Sequence, residues 1–566
     1  MHDLVIRDAD IADGTGRTRF SGDVAVDDGV ITAVGPVEGS GRVEVDAGGR
    51  LLAPGWVDVH THYDGQVTWD PEVTPSSWHG VTTLVMGNCG VGFAPVRPGA
   101  EDFLIELMEG VEDIPGTALH EGLDWNWESF SQYLDALESH PRVLDVLAQV
   151  PHAAVRAYVM GERAHDDATP ADVEEMGRVV AEAVAAGAAG FSTSRTFLHS
   201  SRHGLVPGTT AAESELLALA DGVAAGGGAV FQLIADNVAG EQGQALVAEL
   251  ARRCGGPVTY SLAQAPPDLT AYRTALAEAD RMAASGLDVV PQVADRPTGM
   301  LFGLQSSLHP FITHPSYRAV ADLPLAERVA RLADPALRER LLAEEPTTNS
   351  PVARMLISRW DAIFPLGSPP DYEPAPETSV SATAAREGRR PEEVVLDWLL
   401  EDGGRALLFA PLANYFDGSH DAILEMMTHP RSVLGLGDGG AHCGLICDAS
   451  MTTYVLTHWA RDRSRGERLG VEEAVALQTS RPAALYGLAD RGTIAAGKRA
   501  DLNLVDLDAL QLHVPEMVFD LPAGGRRLVQ RVDGYAATWV AGVQTFSEGE
   551  PTGARPGGLV RGSRPR

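Results

Sequence analysis

Two histidines two positions apart, His60 and His62, end an apolar run, Pro54-Gly55-Trp56-Val57-Asp58-Val59-His60-Thr61-His62. On a strand, residues two apart point to the same side, so the two imidazoles converge on one point. Such a pair suits Zn²⁺, which accepts nitrogen ligands at about 2.0–2.1 Å. Paired histidines also occur on surfaces, but here they follow a strand that reads as buried. Cys89 closes a second apolar run, Gly80-Val81-Thr82-Thr83-Leu84-Val85-Met86-Gly87-Asn88-Cys89-Gly90. A thiolate there could approach a metal, and a buried structural thiol would read the same way. Asp438 ends a third, Leu434-Gly435-Leu436-Gly437-Asp438-Gly439-Gly440-Ala441-His442. Its glycines allow close approach to the backbone, and its carboxylate could bind the metal or take a proton from water. A simple turn aspartate fits Gly-Asp-Gly equally well.

The elements that would position these residues alternate between strand and helix. Strands are expected at 51–62, 82–86, 145–150, 189–193, 229–234, 258–262, 289–293 and 433–436. Helical patterns lie between several of them; Val173, Met176, Val179, Val180, Ala183 and Val184 share one face, and Gly187 supplies a stop. Eight strands separated by helices predict an α/β fold, a (β/α)8 TIM-like barrel spanning 51–494, whose active-site mouth lies at the strand C-termini. Both ends are β-rich, with a tight turn at Asp27-Asp28-Gly29 and another at Ala541-Gly542. They predict one discontinuous β-sandwich domain, 1–50 and 495–550, with two unrelated hairpins as the alternative. The barrel rhythm breaks over 295–405, read as an insertion that either covers the mouth or lies at the periphery. The Gly-, Pro- and Arg-rich tail, 551–566, is expected to be mobile.

Composition narrows the function classes. The formal net charge is −34 at pH 7, so nucleic acid and anionic membranes, which need basic patches, are poor partners. No run approaches the ~20 apolar residues of a membrane span, and the start lacks the pattern of a secretory signal. Four scattered cysteines fit a reducing, cytoplasmic setting better than a disulfide framework. A small-molecule substrate is the expected partner, and a homo-oligomer is compatible with all of this.

Together the three motifs resemble the amidohydrolase superfamily, and most closely its D-aminoacylase (N-acyl-D-amino-acid deacylase) branch. The likeness extends to Gly190-Phe191-Ser192-Thr193 and to the closing segments Pro482-Ala483-Ala484-Leu485-Tyr486-Gly487 and Gly497-Lys498-Arg499-Ala500-Asp501-Leu502. The resemblance implies metal ligation by His60, His62, Cys89 and Asp438, with Asp438 also the catalytic base. It departs from the branch where histidine ligands end the fifth and sixth strands: Gln232, and Leu262 or Gln264, stand here instead. Gln264 also falls where the branch has a lysine that grips the substrate carboxylate, and Cys447-Asp448-Ala449-Ser450 where it has an arginine.

The expected activity is therefore hydrolysis of a carbon–nitrogen bond by metal-activated water, at one zinc ion per chain, on a substrate other than an N-acyl-D-amino acid. His152, Arg195 and His442, each at or after a predicted strand, are candidates to stabilise the oxyanion. Gln232, Gln264, Arg296 and His199 are candidates to bind substrate, with His203 a further replacement for the missing cations. Hydrolysis of a cyclic amide or lactone is the alternative within the fold, and a non-catalytic ligand-binding barrel the alternative outside it.

Overall fold

The computed structural model describes residues 1–348 and 351–562. Eight strands form one parallel sheet in chain order: β1 (Trp56–Asp58), β2 (Val81–Met86), β3 (Asp145–Pro151), β4 (Gly190–Arg195), β5 (Val230–Ala235), β6 (Val258–Ser261), β7 (Val289–Val293) and β8 (Val433–Leu434). Helices cover their outer face, which is why strands such as β2 are buried along their whole length. The helix Pro170–Ala186 is typical of this outer layer. Thr169 caps it, Asp172 completes the capping box, and Gly187, at φ 112°, ends it. Its buried stripe is the one expected, carried by Met176, Val179, Val180, Ala183 and Val184.

The barrel is drawn shut just beyond β1 and β8. The Asp438 amide donates to the His60 carbonyl at 3.0 Å, and the His62 amide donates to the Gly439 carbonyl at 2.8 Å. Closure itself therefore sets the histidine pair against the aspartate, although most of the chain separates them. The single strand expected over 51–62 is in fact two. Leu51–Pro54 leaves the barrel and pairs antiparallel with Leu502–Val505. Gly55 permits the switch, because a Cβ there would stand 2.1 Å from the Thr82 hydroxyl. His60 and His62 consequently lie past the strand, on the loop at its C-terminal end.

Strands from both chain ends join in one nine-stranded sheet with its own core, including Leu4, Ile6, Val24, Leu502 and Trp539. Both tight turns read from the sequence have left-handed backbone, at Asp28 and Gly29 and at Ala541 and Gly542, as two-residue hairpins require. Below the barrel, Arg491 and Arg499 bridge Asp145 at the start of β3 at 2.6 and 3.0 Å. Arg499 also pairs with Asp501 at 3.1 Å, so the closing motif fastens barrel to sheet. The described part of the 551–566 tail packs along the barrel. The Gly557 and Val560 amides donate to the Arg142 and Val146 carbonyls at 2.9 and 2.8 Å, and Arg561 pairs with Asp135 and Glu138. Residues 563–566 lie outside the described residues.

The insertion between β7 and β8 has a separate apolar core that includes Phe302, Leu332, Leu341, Val395 and Leu399. Its three short strands, Gly299–Phe302, Leu408–Pro411 and Phe364–Pro365, pair antiparallel, so the unit runs past residue 405. It rests on the loop after β8: the Leu301 amide donates to the Leu445 carbonyl at 2.7 Å, and Ser307 to Gly444 at 2.8 Å. Among the described residues no helix is long and apolar enough to cross a membrane.

Candidate metal centre

His60, His62 and Cys89 each offer a ligand atom, and these atoms lie within 4.8 Å of one another. His60 Nε2 is 3.2 Å from Cys89 Sγ and 3.5 Å from Asp438 Oδ1. His62 Nε2 lies 3.7 Å from the same Asp438 oxygen. Each imidazole turns Nε2 inward, while its Nδ1 meets a partner behind it. His60 Nδ1 donates to Gln292 Oε1 at 2.8 Å, and His62 Nδ1 faces Glu112 Oε1 at 3.4 Å. Outer partners of this kind fix ring orientation in metal sites.

The backbone is strained at the same place. Cys89, Leu436, Asp438 and His442 all have positive φ, between 42° and 66°, a conformation that is costly without glycine and concentrates at functional sites. The electrostatics call for a cation. Burial pushes the Cys89 thiol and the Glu112 and Asp438 carboxyls well above their ordinary values. Neighbouring acids add to it: Glu112 and Asp438 act on Cys89, Asp438 and Asp64 on Glu112, Asp448 and Asp58 on Asp438. A divalent ion reverses that balance and favours thiolate and carboxylate. Soft sulfur, two imidazoles and one carboxylate also make a donor set that suits zinc.

Residues 43–546 match the amidohydrolase family. The chain belongs to that family. This amidohydrolase is 28% identical to an N-acyl-D-glutamate deacylase of Alcaligenes xylosoxydans xylosoxydans, over 99% of this chain and 96% of the relative. Its fold matches an N-acyl-D-glutamate deacylase from Bordetella bronchiseptica complexed with zinc and a phosphonate inhibitor, at TM-score 0.64, 24% identity and 99% of each chain. It also matches a D-aminoacylase with a binuclear metal centre, described by one-metal activation and second-metal attenuation, at TM-score 0.66, 21% identity and 100% of each chain.

Other expected site residues divide by the side of the barrel wall they occupy. His442 approaches Glu112, its Nε2 3.5 Å from Oε2. His199, half-buried and 3.0 Å from the Ser194 hydroxyl, has His442 and His60 as its electrostatic neighbours. His152 and Arg195 are not brought to the centre. Along β4, Ser192 and Ser194 face inward, so Thr193 and Arg195 face the helices. There His152 is held by Thr193 at 2.8 Å and Glu215 at 2.9 Å, and Arg195 donates to the Ala211 carbonyl at 2.7 Å.

Arg296 is fully buried, paired with Asp448 at 2.7 Å, bonded to Ser450 at 3.1 Å and stacked 4.0 Å over Tyr372. The Cys447-Asp448-Ala449-Ser450 segment is thus itself the partner of a buried arginine. Gln264 binds Asp417 at 2.5 Å and takes no part in the centre, and exposed His203 pairs with Glu106. A second group, Glu373, His420 and His458, is also close enough to hold an ion. Its carboxylate is already engaged by the buried Arg463 at 3.1 Å and by His458 at 3.0 Å.

Strand parity revises the sixth strand as well. Tyr260 reaches outward to the Ala275 carbonyl, so Thr259 and Ser261, rather than Leu262 or Gln264, point inward. Thr259 Oγ1, Ser261 Oγ, Gln292 Nε2 and Gln232 Nε2 are buried without a hydrogen-bond partner. Gln232 Oε1 accepts from the Cys89 amide at 3.1 Å, which leaves only its donor end free. Gln232→Ala should therefore lower turnover by about 10- to 100-fold while metal content stays unchanged. Metal loss in parallel, read by elemental analysis, would instead make Gln232 a ligand.

Gln292 and Glu112 are not found by reading motifs. Glu112 does leave a trace, because it shares the buried face of α1 (Glu101–Glu112) with Ile105 and Met108. A carboxylate at the next position of an apolar 3–4 stripe needs a polar partner inside.

Proposed function

We propose that this amidohydrolase cleaves an amide C–N bond with water at a single divalent metal ion, zinc, held by His60, His62 and Asp438, with Cys89 as a candidate further ligand and a position left open for water. The convergence of these four side chains at the barrel mouth carries the reading. The single ion follows from what surrounds Cys89. Thr259 and Ser261 offer neutral oxygens, poor zinc ligands beside imidazole or thiolate, and the Gln232 oxygen already accepts from the Cys89 amide.

When bound, the ion acidifies water and polarises the scissile carbonyl. The Asp438 carboxylate would take the proton as the water oxygen bonds to the carbonyl carbon. It returns that proton to the leaving nitrogen as the C–N bond breaks. His199 borders the opening and can donate to the developing oxyanion, while His442, its Nε2 facing Glu112, stands at the edge of the same site.

The terminal sheet acts as a small β-sandwich domain (1–50 and 495–550) bracing the hydrolase barrel (51–494), and the insertion at 295–405 serves as a lid. Its hydrogen bonds to Leu445 and Gly444 support that role. Four buried cysteines, none of them in a disulfide, suit a reducing, cytoplasmic setting.

The substrate is a small amide without a free carboxylate beside the scissile bond. Arg296 and Arg195 are engaged elsewhere, and the unpartnered groups on β5, β6 and β7 beside the centre are the amides of Gln232 and Gln292 and the hydroxyls of Thr259 and Ser261. A carboxylate among so many buried acids would be repelled, whereas amide and hydroxyl groups can bond a neutral ligand. A panel of N-acyl amino acids, their carboxamides, simple amides and cyclic imides tests this. Carboxamides should exceed the free acids in kcat/KM by at least about tenfold, a difference of ~1.4 kcal/mol. Preference for the free acids would reject the substrate class, and turnover of cyclic imides alone would move the enzyme to ring opening.

A further inference from the structure

We infer that Glu112 is a positioning residue shared by two histidines, holding His62 in its metal-binding orientation and His442 at the edge of the same site. This rests on the metal-centre reading above and adds a residue that no motif marks. The carboxylate is almost completely buried at 1% exposure. One oxygen faces His62 Nδ1 at 3.4 Å and the other faces His442 Nε2 at 3.5 Å. His62 Nδ1 and Glu112 Oε1 are both buried and neither has a hydrogen-bond partner, so each is the group placed to satisfy the other. With Nδ1–H directed at Glu112, the lone pair of His62 Nε2 points to Cys89 and Asp438, where a ligand is needed.

The end of α1 is anchored well enough for this task. The His442 amide donates to the Glu112 carbonyl. The next residue, Asp113, ends the helix at φ 51° and accepts from the Gly444 amide at 3.0 Å and the Ser307 hydroxyl at 2.8 Å. One helix terminus thus ties a metal-site histidine, the loop after β8 and the insertion together. A carboxylate is required because both imidazoles present N–H donors. Its two oxygens accept from both, whereas an amide turns its NH2 toward one of them.

The test measures zinc affinity of apo-protein by competition with a chromophoric chelator, alongside thermal melting of the same apo-protein. Glu112→Ala should weaken zinc binding by about 10- to 100-fold, and Glu112→Gln, which keeps one acceptor, should fall between it and the unaltered protein. Apo-protein melting of Glu112→Gln should be unchanged or raised, since an uncompensated buried carboxylate is removed. If Glu112→Ala does not fold, the Gln variant alone decides. Unchanged zinc affinity in the folded variants, or a lowered apo melting temperature with zinc binding intact, would overturn the inference and leave a purely structural glutamate. Absence of tight zinc binding in the unaltered protein would overturn this inference and the metal-centre reading together.

Discussion

The Asp438→Asn variant is expected to fold normally and to lose about 10²- to 10⁴-fold in kcat, the range for removal of a general acid–base. Asparagine matches aspartate in size and tolerates left-handed backbone, so the φ of 42° at this position can be kept. What changes is the carboxylate, which in the proposed site supplies both the base and the negative charge that helps to hold the metal. Oδ1, 3.5 and 3.7 Å from the two imidazole Nε2 atoms, can no longer accept a proton or carry charge. Barrel closure should survive, because it uses the backbone amide of residue 438 and not its side chain. Circular dichroism and melting establish the fold, and single-turnover kinetics read the chemical step. Retention of more than a tenth of the rate would return Asp438 to the role of a turn residue and place the base elsewhere.

His60→Ala should leave the protein without tightly bound metal and with hydrolysis at background. The reason is geometric. His60 Nε2 is the group nearest Cys89 Sγ, at 3.2 Å, and it also lies against Asp438. Without it, three dispersed donors remain around an acidic, buried space, and the Gln292 amide loses its partner as well. Dialysis against a chelator, re-addition of zinc and elemental analysis give the comparison. The unaltered chain should return to one ion and full activity, and the variant to neither. Stabilisation by zinc should vanish in parallel; at a thousandfold excess over Kd it amounts to about 4 kcal/mol. Two tightly held ions in the unaltered protein would mean that the barrel offers ligands beyond these four. Unchanged metal content and activity in His60→Ala would favour a non-catalytic, ligand-binding barrel.

The ligand candidates were legible because their chemistry is local. His60, His62, Cys89 and Asp438 each follow an apolar run that must be a buried strand, and glycines beside Cys89 and Asp438 announce unusual backbone. Direction was less legible. His152 and Arg195 follow barrel strands just as convincingly, yet parity at β4 turns Arg195 outward, and the helix after β3 carries His152 to Glu215. Arg296 shows the same limit in another form. A buried arginine near an active site invites a substrate role, but Asp448, Ser450 and Tyr372 use its face and its donors.

By itself, then, the sequence determined the donor chemistry and the alternating elements of a barrel, because hydrophobic period and residue type are properties of neighbouring positions. Tertiary structure decided which donors meet. The hydrogen bonds between His60 and Asp438, and between His62 and Gly439, close the ring and create the site in one step. Glu112 and Gln292 become partners of the two histidines only through that closure. A buried polar group is satisfied by whatever the fold brings within about 3 Å, and contacts between distant segments carry no periodic signal in the chain.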